Sequence, residues 1–252
     1  MVNTNKNISR HVISWYNANK RLLSFRDTKD PYKIWLSEIM LQQTKVSTVL
    51  PYYEKWIIKY PTIKSLYNAN LDTLLKLWEG LGYYSRCNNF YQSIKIICDY
   101  HNGKIPSDKT TFLSLPGVGD YTASAVLSIA FNKPYPVIDG NVKRLLSRML
   151  GIRRVTNYNK KRMINFLKSI IHNKNPSDFN QGMMEIGSLI CTPLNPFFHK
   201  CPLNDYCYSF KKGAPENYPL KVKPKPKPHY KVVVAIIWNN NRYTTFFIYF
   251  SD

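Results

Sequence analysis

Two of the 15 acidic residues sit in settings that differ in kind. Glu38 lies inside WLSEIMLQQ, residues 35–43, where the spacing predicts a helix with Trp35, Ile39, Met40 and Leu41 around the carboxyl group. Apolar surroundings raise a carboxyl pKa and keep the proton on near neutrality. Asp139 precedes a helix predicted to start near Val142. Free N–H groups and the positive dipole end there favour its ionised form. A proton donor and a nearby anion are what cleaving a glycosidic bond requires. The leaving group takes a proton, and the anion balances charge growing on the sugar. Each residue also has an ordinary structural explanation: Glu38 as a solvated helix face, Asp139 as an N-cap and nothing more.

A second feature could hold phosphate. LPGVG, residues 115–119, lies between two helical patterns, and Gly117 and Gly119 permit positive φ and close backbone approach. The next helix opens at Asp120, so its free N–H groups face the loop as an anion site. A third feature could hold metal. Of the five cysteines, Cys191, Cys201 and Cys207 are spaced like metal or cluster ligands, and the odd total argues against a disulfide framework.

The wider composition suits these features. Lys and Arg number 36 against 15 Asp and Glu, a net charge of +21. Such a chain is drawn to phosphate polymers or anionic membranes, although abundant Asn, Lys, Ile and Tyr could also reflect A+T-rich coding. No apolar run approaches the roughly 20 residues of a membrane span, and the polar start lacks a signal-peptide core. An intracellular protein with reduced thiols is the expectation.

The elements that must position these residues read as short helices from Ile8 to about Lys212. Val142, Leu145, Leu146, Met149 and Leu150 share one helical face, as do Met163, Phe166, Leu167 and Ile170. Pro31, Pro51, Pro61, Pro106, Pro116 and Pro176 are expected near helix starts or between helices. At Lys221 the character changes. KPKPKP, residues 223–228, reads as an extended linker. Residues 231–238 and 243–250 follow as two strands around a turn at residues 239–241, apolar on both faces, like the beginning of a sheet domain that the chain does not complete.

DPYKIWLSEIMLQQT (30–44), GLGYYSR (80–86), LPGVGDYTA (115–123), IDGNVKR (138–144) and FNQGMMEIGSLICT (179–192) occur in this order. With them, residues 8 to about 212 resemble the MutY-type adenine DNA glycosylases of the endonuclease III superfamily. The resemblance covers the family's catalytic half. It implies a mainly α fold, with two helical domains of the helix–hairpin–helix type flanking a catalytic cleft. One domain would comprise residues 1–27 and 137–212, and the other a six-helix barrel over 28–136. A linker (213–230) and a remnant of a Nudix-like C-terminal domain (231–252) would follow, the domain being truncated.

The implied activity is removal of adenine opposite 8-oxoguanine or guanine in double-stranded DNA, by a monomer that flips the base out. Glu38 would protonate the adenine and Asp139 would stabilise the sugar cation. Gln42 and Gln43 would help fill the duplex gap and contact the opposite guanine, with Thr44 nearby; Tyr83 would intercalate beside the lesion, and Leu81 lies in the same loop. Core packing is the competing reading for the tyrosines, with one of Tyr83 and Tyr84 buried. Gly117, Gly119, Tyr121 and Lys143 would complete the DNA-binding set. Endonuclease III-like lyases carry a lysine at the place of Tyr121, so a monofunctional glycosylase is expected over a lyase. Phe25 stands where the family usually has tryptophan. The family's [4Fe–4S] cluster uses C-x6-C-x2-C-x5-C. Cys191, Cys201 and Cys207 fill three places and Phe198 stands at the second, leaving no cluster, a labile three-thiolate cluster, or one completed by His199. A lyase and an inactive DNA-binding remnant are the alternatives.

Overall fold

The computed structural model describes the backbone of residues 2–220, 231–239 and 242–250, and the side chains of residues 6–220. Most of the Lys/Pro linker and the turn residues Asn240 and Asn241 lie outside the described residues. Residues 1–220 form one compact unit and residues 221–252 another.

The first unit is helical, as its periodicities require. Its α-helices are α1 (Val2–Asn19), α2 (Pro31–Met40), α3 (Val46–Lys59), α4 (Ile63–Tyr67), α5 (Leu71–Trp78), α6 (Ser85–Tyr100), α7 (Lys109–Leu113), α8 (Asp120–Phe131), α9 (Gly140–Met149), α10 (Asn157–Ile170), α11 (Pro176–Glu185) and α12 (Tyr208–Lys212). Pro51 departs from expectation: it lies inside α3, where it removes one backbone hydrogen bond. A π-helical turn, Ile186–Ile190, continues α11. Among the described residues no helix is long and apolar enough to cross a membrane.

Helix α2 is central. Asp30 caps it by accepting from Tyr32 N at 2.9 Å, and Pro31 opens its first turn. Every residue from Ile34 to Met40 is buried. It packs on α3, α6 and α8, while α11 packs on both α1 and α8. Trp35 meets Phe90 and Phe112 edge-on, each at 4.9 Å between centroids, a geometry favoured by the ring quadrupoles. The unit extends to Leu220, whose N–H donates to Arg153 O at 2.9 Å.

In the second unit β1 (Lys231–Asn239) and β2 (Arg242–Phe250) pair antiparallel, Lys231 opposite Phe250 and Asn239 opposite Arg242.

Candidate active site

Asp139 is the N-cap of α9, as its position predicts. Oδ1 accepts from Val142 N at 2.6 Å and Oδ2 from Asn141 Nδ2 at 3.0 Å. Arg144 steadies this turn, donating to Asn141 Oδ1, Gly187 O and Cys191 O at 2.7–2.9 Å. Gly187 is required for the approach: a Cβ there would meet the backbone of Asn141 at 2.9 Å. The expected direction of its pKa needs correction. Burial raises the Asp139 pKa, and the bonds from Val142 and Asn141 only partly oppose this. The cap is local, but so much desolvation comes from the fold around it.

Glu38 also departs from expectation. Its side chain is fully buried, yet its surroundings are polar. Arg26 Nη1 donates to Oε1 at 2.7 Å, and the Tyr121 hydroxyl donates to Oε2 at 2.6 Å. The helical neighbours Trp35, Ile39 and Met40 face the core and leave this one face to the ion pair. Burial opposes the charge on Arg26, but Glu38 and Tyr121 more than restore it and raise its pKa. Burial, then the nearby Glu38 charge, hold the Tyr121 phenol protonated well above its ordinary range. Tyr121, expected among DNA contacts, therefore turns its hydroxyl to the carboxylate.

These groups border an open cleft of about 800 Å³. Phe25, Arg26, Gln42, Gln43, Thr44, Gly117, Gly119, Tyr121, Asp139 and Lys143 all line it. Glu38 lies behind Arg26 and Tyr121. Another groove, of about 600 Å³ between α1 and the end of α10, contains no carboxylate. The hairpin is partly as expected. Gly117 has φ +74°, and a Cβ there would meet Asn89 at 2.7 Å. Gly119 is instead extended, φ −98°, as the N-cap of α8.

Leu81 does not join the others: it is buried and belongs to the hydrophobic core. Tyr83 and Tyr84 are both exposed, 60% and 46%, so neither is core packing. Sequence reasoning missed Arg26 and Asn141. Both lie within two residues of residues already singled out, but neither has a local pattern that marks its partner.

A family model described as HhH-GPD superfamily base excision DNA repair protein matches residues 36–171, a span containing Glu38, the hairpin and Asp139. The chain belongs to that superfamily. Its fold is similar to the solved structure of a thermostable thymine-DNA glycosylase, with TM-score 0.75 and 27% identity over 83% of this chain and 98% of that one. Within the superfamily it belongs with the adenine DNA glycosylases. It is 42% identical to those of Buchnera aphidicola subsp. Schizaphis graminum and subsp. Acyrthosiphon pisum, over 86% and 93% of this chain. It spans 63% and 68% of their respective lengths.

The residues present do not fit a four-thiolate cluster. Cys191, Cys201 and Cys207 share a cavity of about 10 Å³ with Phe198, Leu145 and Met149. The Phe198 ring packs 5.0 Å from that of Phe210. His199 is exposed and outside this lining, and among the described residues no three potential ligands converge on a metal position. The corner is held otherwise: buried Arg148 donates to Thr192 O at 2.6 Å, Pro193 O at 3.0 Å, Pro215 O at 3.1 Å and Cys191 Sγ at 3.3 Å. Anaerobically purified protein is expected to carry fewer than four irons and to keep its melting temperature in chelator. Phe198→Cys should raise iron content, because a metal bound only by the folded state adds to folding free energy. A stoichiometric, air-stable cluster in the unaltered chain would overturn this.

Proposed function

We propose that this protein is a monofunctional adenine DNA glycosylase, acting as a monomer on double-stranded DNA to remove adenine opposite 8-oxoguanine or guanine. The observation that carries the reading is one cleft lined by Asp139, Arg26 and Tyr121, the last two bonded to Glu38 behind them, with Gln42, Gln43, Thr44, Gly117 and Gly119 also lining it. The cleft would lie between the six-helix barrel of residues 28–136 and the domain formed by its flanks.

In the proposed reaction the extruded adenine enters this cleft. Glu38 is the acid: its proton passes through the Tyr121 hydroxyl to the purine ring, and Arg26 pairs with the carboxylate that remains. The N-glycosidic bond breaks, its electrons leave with the base, and ionised Asp139 balances the charge on the sugar. Water adds to the sugar carbon and its proton returns to Glu38.

The test is adenine release from duplexes with A opposite 8-oxoguanine, opposite guanine and opposite thymine, with release expected from the first two. No release from any of them would end the reading. Borohydride trapping separates it from the lyase alternative. Tyr121 offers no amine, so no trapped protein–DNA adduct is expected beyond background. An efficient adduct abolished by Lys143→Ala would instead identify a lyase using the lysine on the cleft rim.

A further inference from the structure

Arg86, the second residue of α6, has no part in the reaction above, yet its guanidinium meets five backbone carbonyls. Nη1 donates to Ile39 O at 2.8 Å, Met40 O at 3.2 Å and Gln42 O at 2.6 Å, and Nη2 to Leu81 O at 3.2 Å and Gly82 O at 3.0 Å. The first three belong to the end of α2 and the loop after it, where carbonyls lack helical partners and a cation is favoured. The other two belong to the loop between α5 and α6. The guanidinium also lies over the rings of Trp78 and Tyr83, at 5.4 and 5.5 Å.

The two tethered loops carry the exposed residues proposed to enter the duplex. Each holds a side-chain-bearing residue in the left-handed region, Gln43 at φ 58° and Tyr83 at φ 49°. Such conformations cost free energy and persist only where the surroundings over-determine them. Arg86 supplies that determination to both at once, since one planar fork spans them.

We propose that Arg86 is the positioning residue that locks the Gln42–Gln43 loop to the Gly82–Tyr83 loop, so that both enter a mispaired duplex as one preformed wedge. This rests on the glycosylase reading for the identity of the DNA. Lysine at this place keeps the charge but not the fork, and cannot span the five carbonyls.

The test is binding on an Asp139→Asn background, so that substrate is not consumed. Three duplexes are compared: fully matched, A opposite 8-oxoguanine, and one with an abasic analogue in place of the adenine. Arg86→Lys is expected to weaken mispair binding about tenfold, as when an oriented hydrogen bond from a charged group is removed. Matched and abasic duplexes should change less than about threefold, the latter because no base must be unstacked. The dependence of affinity on salt should not change, because Arg86 contacts carbonyls and not phosphate. Equal losses on all three duplexes, or no loss on any, would overturn the proposal. If Arg86→Lys fails to fold, Gly82→Ala strains the same loop, at φ +70° with open space around a new Cβ, and the same selective loss is expected. If the unaltered wedge binds mispaired and matched duplexes equally, it is the glycosylase reading that fails.

Discussion

Asp139→Asn should lower single-turnover adenine release by about three orders of magnitude, the scale for removing one preorganised electrostatic group at a developing charge. It should not lower the melting temperature. Asparagine caps a helix as well as aspartate, so Val142 N keeps its acceptor. The substitution also removes a buried charge. The Asp139 pKa is raised in the folded protein, chiefly by burial. Protonation therefore favours the folded state, and that contribution is complete below the unfolded pKa, about 3.9. It is lost as pH rises through the folded value. The variant should match the unaltered protein in acid and gain on it as pH rises past this window. The same shift moves the acid limb of the rate profile upward from where an unburied aspartate would put it, because Asp139 must be ionised to act. Melting curves from about pH 3 to 8 and single-turnover rates across the upper part of that range check both statements. A large fall in melting temperature with a matching loss of DNA binding would reduce Asp139 to a structural cap.

Glu38→Gln should differ, because Glu38 has a charged partner and Asp139 does not. Excision should fall by about 10²–10⁴-fold, the usual contribution of a positioned acid. Stability should fall as well. Arg26 Nη1 loses its carboxylate at 2.7 Å, in a pair whose side chains are 15% and 0% exposed. Breaking a pair this buried costs about 3 kcal/mol, or roughly 6–12 °C for a unit of this size. The double variant Glu38→Gln/Arg26→Met should regain much of the stability and none of the activity, since it removes the orphaned cation but restores no acid. Calorimetry and release assays on the three proteins test this. A stable, fully active Glu38→Gln protein would remove Glu38 from the reaction and leave Tyr121 and Asp139 to carry it.

The contrasting demands of these two carboxylates show how far local sequence reaches. Residues near one another in the chain determine whatever depends on neighbours: the helices of the first unit from their apolar periodicity, the Asp139 cap from its place before Val142, the left-handed Gly117 from its hairpin. The order of the five motifs identified the family for the same reason, each being a short local pattern. What surrounds Glu38 was not local. Arg26 lies 12 residues before it and Tyr121 83 residues after it; Arg26 reaches the carboxylate from the segment between α1 and α2, and Tyr121 because α8 packs on α2. The apolar neighbours expected to bury the acid do bury it, but they point into the core and leave its oxygens to partners brought from elsewhere. The exposure of Tyr83, the burial of Leu81 and the reach of Arg86 to five carbonyls likewise follow from how two loops meet. Hydrophobic pattern and capping are read along the chain, whereas desolvation and ion pairing are sums over everything nearby in space, and those sums exist only once the chain has folded.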